Sequence, residues 1–297
     1  MVIYKYSMNN IIAGVDIGGS HITVALVDLG RLEILPESFI RERFDSSLSA
    51  GDIIQNWATV IRKAYVGFPD LKMRIGIAIP GPFDYIKGIS FICNQGKYDA
   101  LYNLNVKTLL SEELDISENQ IRLGNDAGCF LQGEILKGEM NGYESAVGLT
   151  LGTGLGSAYI DGKKAYDADL WKMQYLDGII EDYISTRWFI KEFYKRTNQN
   201  INDVKELVEN YSKHEITLDL FNEFSKNLAS FLHTFITKRR AQMVVLGGNI
   251  SKSHELFLNP LKKHLNEALG YSIPINLSVL GESAALMGAA SLFKEQH

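Results

Sequence analysis

The residues of this chain best suited to chemistry are carboxylates placed beside glycine turns. Asp16 opens the stretch Asp16-Ile17-Gly18-Gly19-Ser20. Two adjacent glycines let backbone N–H groups come close to an anion, with a hydroxyl and a carboxylate next to them. An acid at the mouth of a phosphate loop repels phosphate unless a hard cation lies between them, so Asp16 points to Mg²⁺ held through water. A second glycine tip, Leu151-Gly152-Thr153-Gly154-Leu155-Gly156, has the spacing of a dinucleotide fingerprint. That motif must open a helix, and here an extended run over 157–160 follows, which argues against a dinucleotide fold. The chain has no GxxxxGK[ST], so a P-loop is excluded.

In Leu123-Gly124-Asn125-Asp126-Ala127 a carboxylate stands at a strand end just before a helix, exposed and oriented; an ordinary helix N-cap is the plain alternative. The run Val244 to Ser251 repeats the strand-then-glycine design through Gly247, Gly248 and Asn249, whose small size lets a flat ring approach the backbone. A simple strand-to-helix turn explains it equally. His21 alternates along a strand and reads as structural or surface. Trp188, Phe189, Phe193 and Tyr194 read as helix packing.

The elements that position these residues follow from periodicity. Alternation on either side of Gly18-Gly19 predicts a hairpin, with a further extended segment over 37–44. Ile53, Ile54, Trp57, Val60, Ile61 and Ala64 repeat at helical spacing over 52–66, and Gly67 follows as a stop. A buried strand over 74–79 ends at Pro80-Gly81-Pro82; a helix over 106–114, a strand over 121–123 and a helix over 127–137 follow. After Gly142 the pattern begins again with strands over 145–151 and 155–160 around the second glycine tip. Helices are predicted over 180–194, 202–211, 218–240, 253–269 and 283–293, with strands over 243–246 and 275–280.

The length of 297 residues suits two lobes at about 150 residues per domain. A duplicated α/β architecture is expected, two lobes flanking a cleft with no flexible linker. The N-terminal lobe covers 1–122, joined by a C-terminal helical segment over 283–297, and the larger C-terminal lobe covers 123–282. Hydrophobic residues at 46% and charged residues at 22% exclude disorder and collagen as the main state. A net charge of −5 leaves no electrostatic footprint for nucleic acid or an anionic membrane. With no apolar run near the roughly 20 residues of a membrane span and no signal pattern over 1–10, cytoplasmic residence is expected. Two cysteines, Cys93 and Cys129, are too few for a disulfide framework and read as buried thiols.

Taken together, these motifs resemble those of the ROK sugar kinases, a branch of the actin-like ATPase superfamily. The resemblance runs from Asp16 to about Leu292 through six segments in order: DIGGS, AIPGPFD, GNDA, LGTGLGS, VVLGGNIS and GESAALMGAASL. It implies two ribonuclease-H-like lobes and transfer of the ATP γ-phosphoryl group to a hydroxyl of a hexose or hexose derivative, usually the 6-hydroxyl. Under it, Asp126 is the general base and Asn125 hydrogen-bonds the same sugar. Gly18, Gly19, Ser20, Gly152, Thr153 and Gly154 hold phosphates, with Mg²⁺ near Asp16, and Gly247, Gly248 and Asn249 meet the adenosine. Glu181, in Ile180-Glu181-Asp182-Tyr183-Ile184-Ser185, matches a sugar-binding glutamate.

One interval departs from the family pattern. A Gly-Glu-x-Gly-His segment and a CxCGxxGC zinc cluster are replaced by Lys164 to Met173, which has neither His nor Cys. Asp169 stands where the glutamate does, Lys172 near the histidine's place, and zinc is predicted absent. The rivals are a sugar sensor without turnover, as in the family's repressors, and a degenerate kinase. The repressors carry an N-terminal DNA-reading domain that has no counterpart in the dozen or so residues before the first strand. Homodimerisation is common in the resembled family, and the apolar 183–194 segment could serve as an interface or be buried within one lobe.

Overall fold

The computed structural model describes residues 8–138 and 143–294. Most of the N-terminal segment read for a signal pattern, Gly142, and the end of the 283–297 segment lie outside them. The chain divides into two compact units, Met1–Gly138 with Glu282–His297, and Glu139–Gly281. The division therefore falls well after the expected boundary at 122, because the strand and helix bearing Asn125 and Asp126 belong to the first unit's sheet.

In the first unit β1 (Ile11–Ile17) and β2 (His21–Asp28) form the hairpin around Gly18-Gly19. β3 (Glu33–Ile34) and β4 (Ile40–Arg43) both pair with β2, and a 3-10 turn at Pro36–Ser38 replaces the start of the extended segment expected over 37–44. Helix α1 (Ala50–Tyr65) follows its apolar stripe. Ser49 caps it by accepting the Asp52 N–H, and Trp57 is fully buried between Phe44 and Tyr98. Next come β5 (Ile75–Ile79), the short pair β6 (Phe83–Asp84) and β7 (Ile89–Ser90), α2 (Val106–Leu114), β8 (Ile121–Asn125) and α3 (Asp126–Leu136). The sheet order is β3-β2-β1-β5-β8, with β1, β5 and β8 parallel. This register brings the carboxyl ends of β1, β5 and β8, and with them Asp16, Ile79 and Asn125, to one edge.

In the second unit β9 (Ala146–Leu151) and β10 (Leu155–Asp161) form the second glycine-tipped hairpin, extended by β11 (Lys164–Asp167). A small hairpin, β12 (Gln174–Tyr175) with β13 (Gly178–Ile179), precedes α4 (Thr186–Thr197), α5 (Val204–Tyr211) and the long α6 (Glu215–Arg239). β14 (Met243–Gly247), α7 (His254–Leu269) and β15 (Ile275–Leu277) complete it. The sheet order β11-β10-β9-β14-β15 repeats that of the first unit, antiparallel on one side of the central strand and parallel on the other, as a duplicated α/β architecture requires. Phe189, Phe221, Phe224, Phe231, Phe235 and Phe257 fill its core. The expected helix over 180–194 starts only at Thr186, and Ile180–Asp182 is a single 3-10 turn. Trp188, Phe189 and Phe193 pack inward as expected, and Tyr194 faces solvent.

The chain then returns to the first unit as α8 (Ser283–Ala290), followed by a 3-10 turn at Ser291–Phe293. It lies so close to the sheet that a Cβ on Gly76 of β5 would come 1.9 Å from the Ala289 carbonyl oxygen, so only glycine is accommodated there. Cys129 is buried as expected. Cys93 is exposed, in a loop rather than a core element. No helix among the described residues is long and apolar enough to cross a membrane.

Candidate functional site

In the first unit the site is built on the strand ends. Asn125, the last residue of β8, is also the cap of α3: its Oδ1 accepts the Gly128 N–H at 3.0 Å and its Nδ2 donates to the Tyr85 hydroxyl at 3.2 Å. Capping is thus the work of Asn125, not of Asp126 as the plain sequence alternative had it. The Asp126 carboxylate accepts the adjacent Ala127 N–H at 2.9 Å. Burial pushes the Asp126 carboxyl above the usual carboxylate range, opposed by that N–H and by the charge of Lys97. Asp16 is raised from 3.8 to about 7, first by burial, then by the Asp126 carboxylate and by Glu282, while Arg41 acts in the opposite direction. Two carboxylates are therefore held in one poorly solvated place, each disfavouring ionisation of the other.

The glycine tip beside Asp16 is pinned by the Tyr98 hydroxyl, which donates to the Gly18 carbonyl, and by the Gly18 N–H, which donates to the His21 carbonyl at 2.9 Å. Gly19 and Ser20 stay exposed at the tip. Here the structure adds what the sequence reading missed. His21 Nε2 accepts from Arg43 Nε at 3.1 Å, and burial with the charges of Arg41 and Arg43 lowers its pKa. The imidazole is then neutral with its proton on Nδ1, where it donates to Ser20 Oγ at 2.8 Å and leaves the Ser20 hydroxyl proton directed elsewhere. Alternation along β2 gave His21 only a surface or structural reading.

In the second unit the tip is tied from behind. Gly152 N–H donates to the Gly154 carbonyl at 3.1 Å, Thr186 N–H donates to the Gly152 carbonyl at 2.8 Å, and Leu155 N–H donates to Glu181 Oε2 at 2.8 Å. Thr153 is left exposed at the apex. Gly248 takes a left-handed turn (φ 86°) against the backbone of Leu151, so Gly247, Gly248 and Asn249 stand beside the second tip. Glu181 also pairs with Arg187 through its other oxygen. Asp169 accepts from Trp171 Nε1 at 2.9 Å and pairs with Lys172 at 2.8 Å. The Trp171 carbonyl accepts the Glu181 N–H at 3.2 Å, so the structure does bring Asp169, Lys172 and Glu181 onto neighbouring segments.

The sequence pattern of the ROK family matches residues 12–167 and 177–296. The chain belongs to the ROK family. Among curated relatives it is 27% identical to the N-acetyl-D-glucosamine kinase of Mannheimia succiniciproducens, over 94% of this chain and 98% of that one. It is 24% identical to the glucokinase of Thermotoga maritima, over 95% and 97% respectively. Among solved structures, a ROK family glucokinase from Streptomyces griseus in complex with glucose and AMPPNP matches with a TM-score of 0.79 at 22% identity, covering 95% of this chain and 98% of that one. At that identity the likeness is one of fold.

The interval the ROK pattern leaves unmatched, 168–176, contains Asp169 and Lys172 and overlaps the departure read from the sequence. Among the described residues no group of three or more His, Cys, Asp or Glu is placed to hold a metal ion. Metal analysis of the purified protein is expected to find no stoichiometric zinc, and zinc at one per chain would overturn this reading of the interval. For Gly154, a Cβ would lie 2.6 Å from Glu181 Oε2, so Gly154→Ala must displace that carboxylate from the Leu155 N–H. The expected cost is about 1–3 kcal/mol in urea unfolding. An unchanged midpoint would show that Glu181 is not needed to hold the tip.

Proposed function

We propose that this ROK protein is an ATP-dependent kinase that transfers the γ-phosphoryl group to a hydroxyl, the 6-hydroxyl by family resemblance, of a hexose or N-acetylhexosamine. The observation that carries the reading is the pairing of Asp16 and Asp126 in one poorly solvated place, beside the pinned Gly18–Ser20 tip. Sugar kinase activity is further supported by relatives that match over nearly their whole length, an N-acetyl-D-glucosamine kinase and a glucokinase.

In this reading Asp126 accepts the proton of the attacking sugar hydroxyl. Its raised pKa brings it nearer the range in which a base both stays ionised and takes a proton well. Asn125 is locked by its cap and by Tyr85, which fixes the amide that hydrogen-bonds the sugar. Gly18, Gly19 and Ser20 bind phosphate, Ser20 through the hydroxyl proton that His21 leaves available. In the second unit the phosphate contacts are assigned to Gly152, Thr153 and Gly154, and those to adenosine to Gly247, Gly248 and Asn249. Asp16 offers hard oxygen atoms in a place that disfavours an unpaired anion, a donor set that fits Mg²⁺ keeping most of its water. Mg²⁺ bound there would offset phosphate charge as it develops.

Glu181 and Asp169 already hold basic partners, Arg187 and Lys172, and this favours an altered sugar preference over loss of the site. The test is ADP release from Mg-ATP with a panel of hexoses, N-acetylhexosamines and their derivatives. Sugar-dependent turnover is expected. ATP binding without turnover on any acceptor would bring forward the sensor.

A further inference from the structure

Between the phosphate tip and Asp126 lies a cation that the reading above leaves unused. Lys97 sits in the loop that follows β7, between Gly96 (φ 68°) and Tyr98 (φ 59°), both in the left-handed region. For a tyrosine that conformation is costly and is retained only when its surroundings fix it. They do: Tyr98 is fully buried against Trp57, its N–H donates to the Ser46 carbonyl at 3.0 Å, and its hydroxyl donates to the Gly18 carbonyl. The same residue that pins the phosphate tip thus fixes the backbone on which Lys97 is carried.

The Lys97 stem runs over the tip, its Cδ 3.7 Å from where a Cβ on Gly19 would stand, which is van der Waals range. Lys97 is half-buried and its ammonium forms no direct ion pair among the described residues, yet its charge acts on Asp126. A flexible, strongly hydrated cation kept from full solvation beside a carboxylate without closing on it has a place for a further anion. From these positions we infer that Lys97 contacts the phosphoryl group in transit, between the Gly18–Ser20 tip and Asp126. In that step the sugar hydroxyl oxygen bonds to the γ-phosphorus and the bond from phosphorus to the β–γ bridging oxygen breaks. The hydroxyl proton passes to Asp126 and ADP leaves. Lys97 neutralises the charge on the equatorial oxygens, a task for a positioned cation.

The inference rests on Asp126 being the base, so the experiment separates the two. Lys97→Met, Lys97→Arg and Asp126→Asn are compared with wild type for kcat, the KM values of ATP and of the best acceptor from the panel, and melting temperature, at pH 6 to 9. Lys97→Met is expected to lower kcat by about 10²-fold or more at every pH, with ATP KM and melting temperature little changed and partial recovery in Lys97→Arg. If Lys97 only tunes the base, the loss disappears at high pH, because Asp126, faced also by Asp16, Tyr98 and Cys129, then ionises without it. That recovery, or a Lys97→Met enzyme as fast as wild type while Asp126→Asn is dead, overturns the inference alone. A turnover-competent Asp126→Asn, or a wild type inactive on every acceptor, overturns the site reading and the inference with it. If Lys97→Met does not fold, Lys97→Gln carries the test, with a wild-type rate counting against the inference.

Discussion

Asp126→Asn is expected to lower sugar-dependent turnover by about 10²- to 10⁴-fold, the usual contribution of a positioned general base, while ATP binds nearly as before. An amide of the same shape keeps the Ala127 N–H contact of the wild-type carboxylate but has no basic site for the hydroxyl proton. The fold should not suffer, because burial disfavours the charge that the substitution removes. Initial rates, an ATP titration and a melting curve on the same preparation check all three statements. In the wild type, activity should fall as pH is lowered through the raised Asp126 pKa, since only the ionised carboxylate can take the proton. Comparable turnover by mutant and wild type would remove Asp126 from the mechanism.

The strand ends were legible because each carries a local signature. Asp16 closes an apolar run just before two glycines, and Asn125-Asp126 closes another just before a helical repeat. A sheet with parallel β1, β5 and β8 must bring those ends together. What was illegible depends on contacts distant in sequence. Lys97 stands in an exposed-looking loop, and only the reach of Tyr98 to Gly18, across the sheet edge, gives it a place. His21 was read from the alternation of its own strand, which is blind to Arg43 on the neighbouring one.

The helix expected from Ile180 failed for a similar reason. Ile180, Ile184 and Trp188 do recur at helical spacing and are all buried, but the Glu181 carboxylate reaches the Leu155 N–H and the Thr186 N–H reaches the Gly152 carbonyl. A continuous helix would commit the Thr186 N–H to its own ladder, so the chain makes one 3-10 turn and starts again. The second glycine tip is thereby fixed at the expense of regular structure. Cys93 shows the limit of composition, since a residue type most often buried is exposed where no strand or helix carries it inward.

Asp16→Asn is expected to separate stability from activity. The Asp16 pKa is raised from 3.8 to about 7, so the folded protein holds a proton there that the unfolded chain releases. The stabilisation this gives is complete below about pH 4 and is lost as pH rises through about 7. A shift of that size corresponds to about 4 kcal/mol, which the partial solvent access of Asp16 reduces to about 1–3 kcal/mol. Without ligand, Asp16→Asn should therefore be more stable than wild type at pH 8 and close to it at pH 4. Asp126, also raised, ionises more readily once the Asp16 charge is gone, and this adds to the advantage of Asp16→Asn at pH 8. Mg-ATP should reverse the order at pH 8, because a cation held by the Asp16 carboxylate favours its ionised form and the amide offers far less to it. Melting curves at the two pH values, with and without Mg-ATP, read both effects. If the two proteins melt alike at pH 8 without ligand, the Asp16 carboxylate is relieved by some partner other than a bound cation. The case for placing Mg²⁺ beside it would then fall.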